Sequence, residues 1–467
     1  MLFLASLFLT IPLALQADEG PSKLEPSASA STATAFWSKS NHDLRYMWML
    51  PEGYSAEEPR HMTIILHGTG GDYRWGYWNN FNPRHVKLNP LRAGDIIVSV
   101  DGTSPGNNDT RLFLSGKNDI ESFAAFLEEM RERFAVDQIY LYGHSQGAFF
   151  VTLFASHHPE MVGGVVAHAG GIWNGVKLGR KMKDVPVVFL HGTKDPVVPL
   201  VNSVGGRDAM LDAGLELTTL LRMPGYNHWP NSMRVSEAID WCEGMTSTDP
   251  ERVLDLAKEL ARHKGPDSYQ YEITPALGLS YQVAARLLGS ERSDYGIDEV
   301  PLKIAAQGKD LTDAIDKHGK AMVKELKKSF SKKLTLDGDK PLGMLLAVRE
   351  DYRGVPSVEE WYDGIGFDKT LKKQRKKASK LYDAYWQDTP AAEAFATTVD
   401  LLEDTFLIEA LPWNLSAKME EWHEDARTID IDKKALAKFK VYEAWKEAWE
   451  LGNKEYKKLW MKWEWED

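Results

Sequence analysis

Three residues of this chain have the types and spacing needed to move an acyl group. Ser145 sits at the centre of Gly143-His144-Ser145-Gln146-Gly147, after an apolar run at 138–142 and before an apolar segment at 148–155. That order is strand, sharp turn, helix. A side chain at the apex of such a turn adopts an uncommon backbone conformation, and glycines two residues before and after it remove the clash with its neighbours. The hydroxyl then stands clear at a helix N-terminus, where amides and dipole favour a developing negative charge. At neutral pH a serine hydroxyl is a weak nucleophile. It needs a base within hydrogen-bond reach, and a carboxylate must hold that base in the right tautomer.

Both partners follow along the chain. Residues 187–190 run into His191-Gly192-Thr193-Lys194-Asp195-Pro196-Val197-Val198-Pro199, which offers Asp195 on a loop stiffened by prolines. The plainer use of Asp195 is to cap local amides. Residues 217–221 lead through Pro224-Gly225 to Tyr226-Asn227-His228-Trp229-Pro230. His228 is the first histidine after Asp195, and the next, His263, falls in a helical stretch. Serine, then acid, then histidine is the order a doubly wound sheet gives to such a triad. The N–H of Gln146 is one expected oxyanion donor. The N–H of Thr69, in His67-Gly68-Thr69-Gly70-Gly71, is the other, because glycines let backbone approach a substrate closely. A phosphate-cradling reading of these glycines fails for want of a following Gly-Lys-Ser/Thr. Trp75 and Trp78, in the aromatic loop 72–81, and Trp229 beside the base are candidate walls of an acyl or aryl pocket; packing beneath other elements is the equal alternative for the loop.

The elements that must position these residues alternate between strand and helix. Met62-Thr63-Ile64-Ile65-Leu66 opens into the glycine loop, residues 95–100 end in Asp101-Gly102, and Val165-Val166-Ala167 is a further apolar run. Ile120, Phe123, Leu127, Met130 and Phe134 recur at helical spacing. Strands apolar throughout, alternating with helices, predict a mostly parallel, doubly wound α/β sheet covered on both faces, with its active site beyond the carboxyl ends of the strands. After about Gly244 the pattern becomes helical, with nine of the 16 tryptophans beyond residue 300. Leu436, Phe439, Tyr442, Trp445 and Trp449 make a helical stripe, read as packing rather than as an exposed aromatic surface, and the basic run 369–380 reads as one solvated helix face.

The 467 residues predict more than one domain. We divide them into a secretory signal at 1–17, a flexible spacer at 18–35, a catalytic domain at 36–246 and a helical region of unassigned role at 247–467. The uncharged run 2–15 is too short to span a membrane and suits a signal, although no Lys or Arg precedes it, so a retained anchor is the lesser alternative. A secreted or periplasmic location follows from this, with no membrane span in the mature chain. The net charge of −12 argues against a general nucleic-acid binder. Cys242 is the single cysteine, so an intramolecular disulfide and a cysteine-rich zinc site are excluded. No metal-binding cluster and no cofactor are expected. His157 and His158, being adjacent, diverge on a helix.

From about Tyr46 to Gly244 the chain resembles secreted carboxylic-ester hydrolases of the polyhydroxybutyrate depolymerase and feruloyl esterase group, within the α/β-hydrolase superfamily. Leu66-His67-Gly68, the serine turn, the stretch from His191 to Pro199 and His228-Trp229-Pro230 carry the resemblance. It implies a triad of Ser145, Asp195 and His228, hydrolysis through an acyl-enzyme, and a small-molecule or polymeric ester as substrate. Two features depart from that group: many members carry disulfides, and the helical half has no counterpart there. A serine peptidase using the same triad, and a non-catalytic exported scaffold, are the competing readings.

Overall fold

Successive side chains of a strand point to opposite faces, so a run that is apolar at every position has to be covered on both sides. The computed structural model describes residues 36–38, 44–76, 92–107, 110–173, 176, 178–266, 272–289, 293–329, 342–372 and 463. The signal, the spacer, Trp78, the stripe from residue 436 to 449 and most of the basic run lie outside the described residues.

The strands are β1 Phe36–Trp37, β2 Arg45–Met49, β3 Arg60–Leu66, β4 Ile96–Val100, β5 Ser104–Pro105, β6 Arg111–Leu112, β7 Val136–His144, β8 Gly164–His168, β9 Val187–Gly192, β10 Thr218–Met223, β11 Gly265–Pro266 and β12 Glu272–Ile273. Eight of them form one sheet in the order β1-β2-β4-β3-β7-β8-β9-β10. From β4 to β10 every pairing is parallel, and only β1 with β2 and β2 with β4 are antiparallel. Two short antiparallel ribbons, β5 with β6 and β11 with β12, stand apart from it.

The helices are α1 Tyr73–Gly76, α2 Lys117–Arg133, α3 Gln146–His157, α4 Val201–Asp212, α5 Ser232–Thr246, α6 Pro250–Ala261, α7 Leu277–Ala285, α8 Leu302–Ser329, α9 Leu342–Asp351 and α10 Pro356–Gly364. Strand alternation sorts the sheet's side chains into two cores. Ile64, Leu66, Leu141, Val165, Phe189 and Leu220 face one way, into a cluster with Ile120, Phe123, Leu127 and Met130 of α2, Phe150 and Phe154 of α3, and Val204 of α4. Ile65, Tyr140, Tyr142, Val166, Val188 and Leu221 face the other way, into a cluster that runs on through α5 to α10.

Helix α5 is the hinge of that second cluster. Twelve consecutive residues, 234–245, are buried, so the helix is covered all round. On its sheet side the Cys242 thiol lies against the carbonyls of Val165 and Pro186, and burial pushes that thiol's pKa far up. On its outer side a Cβ at Gly244 would meet both methyls of Val283 at 2.8 Å, and Trp241 Nε1 donates to Gln282 at 3.1 Å. The charged residues of α5 are paired rather than solvated: Glu243 with Arg92 and Arg252, Glu237 with Arg234 and Lys264. The helical segments after residue 246 therefore share a core with the sheet. Trp463 is buried with them and donates to the Ala261 carbonyl at 2.9 Å.

Candidate active site

The parallel strands deliver their carboxyl ends to one edge, and Ser145, Asp195 and His228 follow the ends of β7, β9 and β10. Ser145 follows β7 directly and caps α3 with φ 52° and ψ −114°, a left-handed conformation that a non-glycine residue adopts at a cost of about 1–3 kcal/mol. The close packing around it accounts for both flanking glycines. A Cβ at Gly143 would lie 2.2 Å from the Gly147 carbonyl oxygen, and one at Gly147 would lie 2.6 Å from the carbonyl oxygen of Leu66. The Ser145 N–H donates to the His168 backbone carbonyl at 2.9 Å, which ties the turn to the end of β8.

Asp195 and His228 stand on the loops after β9 and β10. His228 Nδ1 donates to Asp195 Oδ2 at 2.8 Å, and the carboxylate side chain is fully buried. Its other oxygen accepts from the N–H groups of Val197 and Val198, at 2.8 and 2.9 Å. Burial alone would raise the Asp195 carboxyl; hydrogen bonds from His191 and His228 outweigh it and hold the group well below the ordinary carboxylate range. The expected local capping and the expected partnership with His228 are thus made by the same side chain, one oxygen each.

His144 links these groups. Its ring lies 4.7 Å from that of His228, centroid to centroid, and stacks on Trp75 at 4.6 Å and 12°. Trp229 lies parallel to it at 6.3 Å and is 51% exposed. The structure thus brings Trp75 and Trp229 to the residue next to Ser145. Among the described residues no hydrogen bond joins the Ser145 hydroxyl to His228; such contacts are often long before a substrate binds.

The glycine loop lies against the serine. A Cβ at Gly68 would be 2.9 Å from the Ser145 Cβ. Thr69 is exposed at the tip of a turn closed by Gly71 N–H to the Gly68 carbonyl at 3.0 Å, and Gly70 has φ +80°. Gln146 opens α3, where the first N–H groups have no partner within the helix. Its side-chain oxygen accepts from Phe113 N–H at 3.2 Å.

Two histidines were not singled out from the sequence. His191 is wholly buried beneath Asp195, with Nε2 2.7 Å from the Val198 carbonyl oxygen and 3.3 Å from Asp195 Oδ2. Its Nδ1 lies 2.6 Å from Ser203 Oγ, which in turn donates to the Gly170 carbonyl. His67 is buried behind the glycine loop. The signal available for both was the repeated His-Gly at the end of an apolar run, at 67–68 and 191–192. Among the described residues no group of three or more His, Cys, Asp or Glu is arranged to hold a metal ion, and no helix is long and apolar enough to cross a membrane.

A family model described as alpha/beta hydrolase fold matches residues 64–183. Acyl-protein thioesterase 1 of Schizosaccharomyces pombe is 30% identical over 161 residues, 30% of this chain and 70% of that protein. The putative esterase NocK of Nocardia uniformis subsp. tsuyamanensis is 27% identical over 32% of this chain and 42% of its own length. Feruloyl esterase C of Emericella nidulans is 26% identical over 34% of this chain and 57% of its own. The chain thus spans about half the length of the latter two relatives. It belongs to the α/β-hydrolase fold family, and the relatives it matches are named esterases and a thioesterase.

Proposed function

We propose that the protein is a serine hydrolase of carboxylic esters that works through an acyl-enzyme. The observation that carries this reading is the 2.8 Å hydrogen bond from His228 to the buried Asp195 carboxylate, beside a serine held in a strained turn. In the proposed cycle the Ser145 hydroxyl adds to the acyl carbon while His228 Nε2 takes its proton. The N–H groups of Thr69 and Gln146 hold the oxyanion. The tetrahedral adduct expels the alcohol, which receives the proton from His228, and water then repeats the sequence on the acyl-Ser145 ester. Asp195 keeps Nδ1 protonated, so that Nε2 is free to act as the base.

Aryl esters of plant polymers, hydroxyalkanoate esters and acetylated sugars all fit this chemistry. The names of the relatives add thioesters. Trp75, Trp78 and Trp229 are proposed to line the acyl pocket. The segment 1–17 is proposed to export the chain to a secreted or periplasmic location. A peptidase uses the same triad, so a short aryl ester should be paired with a matched peptide amide. We expect turnover of the ester alone, and Ser145→Ala to lower its kcat by about 10⁴-fold or more. Unchanged ester turnover in that variant would sink the assignment. A serine-reactive phosphonate that labels nothing would favour the scaffold reading instead.

A further inference from the structure

The His67 imidazole lies behind the glycine loop with both ring nitrogens engaged. Nδ1 is 2.7 Å from the Gly68 carbonyl oxygen, and Nε2 is 3.1 Å from the Gly102 N–H. A carbonyl only accepts and an amide N–H only donates, so the two contacts fix one tautomer, with the proton on Nδ1. Burial lowers the pKa of this imidazole and keeps it neutral, as that tautomer requires. The ring is held in place on two sides. It packs against Phe113 at 5.1 Å, and a Cβ at Gly71 would lie only 2.9–3.0 Å from its Cβ, Cγ and Nδ1.

The Gly68 carbonyl therefore has two donors, His67 Nδ1 and the Gly71 N–H, both drawing it towards the loop's inner side. In a trans peptide the carbonyl and the following N–H point in opposite directions. Anchoring the Gly68 oxygen inward turns the Thr69 N–H outward, one residue on from Gly68, where an added Cβ would lie 2.9 Å from the Ser145 Cβ. The loop needs such an anchor. Three of its four residues 68–71 are glycines, and peptide planes between glycines rotate at small cost.

We propose that His67 is a positioning residue for the oxyanion hole, its Nδ1–H holding the Gly68–Thr69 peptide in the orientation that presents the Thr69 N–H to the acyl oxygen. This rests on Ser145 being the nucleophile.

Two variants of the full chain separate the two nitrogens of His67. In His67→Asn the side-chain amide reaches the place of Nδ1 and can still donate to the Gly68 carbonyl. In His67→Gln it reaches the place of Nε2 and serves Gly102, leaving the Gly68 carbonyl with one donor. With a short aryl ester we expect His67→Gln to lose about 100-fold in kcat, the scale of one oxyanion donor, with KM changed less than about threefold. His67→Asn should stay within about fivefold of the parent. Affinity for a trifluoromethyl ketone, which mimics the tetrahedral adduct, should fall with kcat in the Gln variant alone. Equal losses in both variants, or a rise in KM at constant kcat, would overturn the proposal. Nitrogen-15 spectra of the unaltered protein test it even if a variant does not fold: His67 should show a protonated Nδ1 and a bare Nε2, and the reverse tautomer overturns it. Ser145→Ala is measured alongside. If that variant is dead and His67→Gln is fully active, only the role of His67 fails; if Ser145→Ala is active, the nucleophile assignment fails first.

Discussion

His144 and His168 sit directly behind Ser145 with their Nδ1 atoms 2.8 Å apart, so one ring must donate and the other accept. Both are pushed well below the ordinary imidazole range, burial being the leading cause, and His67 is lowered for the same reason. His318, on α8 against the Tyr352 hydroxyl, is lowered to about 4. In the unfolded chain each of these rings takes up a proton near pH 6.5. Below that pH the unfolded state binds more protons than the folded one, so stability is full above about pH 6.5 and falls as the solution is acidified. Each histidine adds up to about 1.4 kcal/mol per pH unit to that slope. Asp95, pushed up to about 6 by burial, and Asp101, raised for the same reason, oppose the trend below pH 6 but are outnumbered. We expect the urea midpoint to drop between pH 7.5 and 5.0, and His168→Gln to make the drop shallower; a midpoint that rises on acidification would contradict the neutral assignments. At this scale the sequence was most legible where function constrains spacing. The Ser145 motif, Asp195 and His228 stood out by order, whereas His67 and His191 touch backbone carbonyls that only the folded loops bring near them.

The sheet's main strands were legible because each carries its own period: β3, β4, β7, β8, β9 and β10 lie within a residue or two of the apolar runs, and α2 carries the expected stripe, whereas the short β1, β5, β6 and α1, and α4, were not read from the sequence. Helix α5 was harder to place. Its Glu237, Asp240 and Glu243 are all buried: Arg92 and Lys264, distant in sequence, reach them, and Arg234 pairs with Glu237 from within the helix. The same device ties α4 to α9, where Arg207 Nη1 donates to Glu350 Oε2 at 2.5 Å with both side chains buried. Removing one charge of a buried pair leaves the other uncompensated, at a cost of about 3–5 kcal/mol. Glu350→Gln should therefore lower stability by that order in chemical denaturation. An apolar exchange of both partners, Arg207→Met with Glu350→Leu, should recover most of the loss. A Glu350→Gln variant as stable as the parent would mean that the pair does not join the two helices energetically.

For the whole molecule, composition and pattern separated a doubly wound half from a helical half, but said nothing of how the two meet. That depends on tertiary packing: one buried cluster runs from Tyr140 and Val166 of the sheet, through Ile239 and Trp241 of α5, to Leu311 and Leu345 of the later helices. A chain ending at Thr246 would keep α5 on the sheet while stripping its outer side of Val283, Gln282, Arg252 and Lys264. We expect that fragment to aggregate, or to bind a hydrophobic dye and lose a cooperative urea transition that the full chain retains. Activity and cooperative unfolding equal to the full chain's would show the shared core to be dispensable.

The packing of α5 also sets an order of events during synthesis. A ribosome that has released the chain through residue 246 has already emitted Ser145, Asp195 and His228, but not the helices that close over α5, nor Trp463, which pins the end of α6. Domains whose cores are local fold as they emerge. Here the hydrophobic cover on one side of the nascent sheet is supplied by helices that emerge after residue 246, so the sheet completes that core only once they have been made.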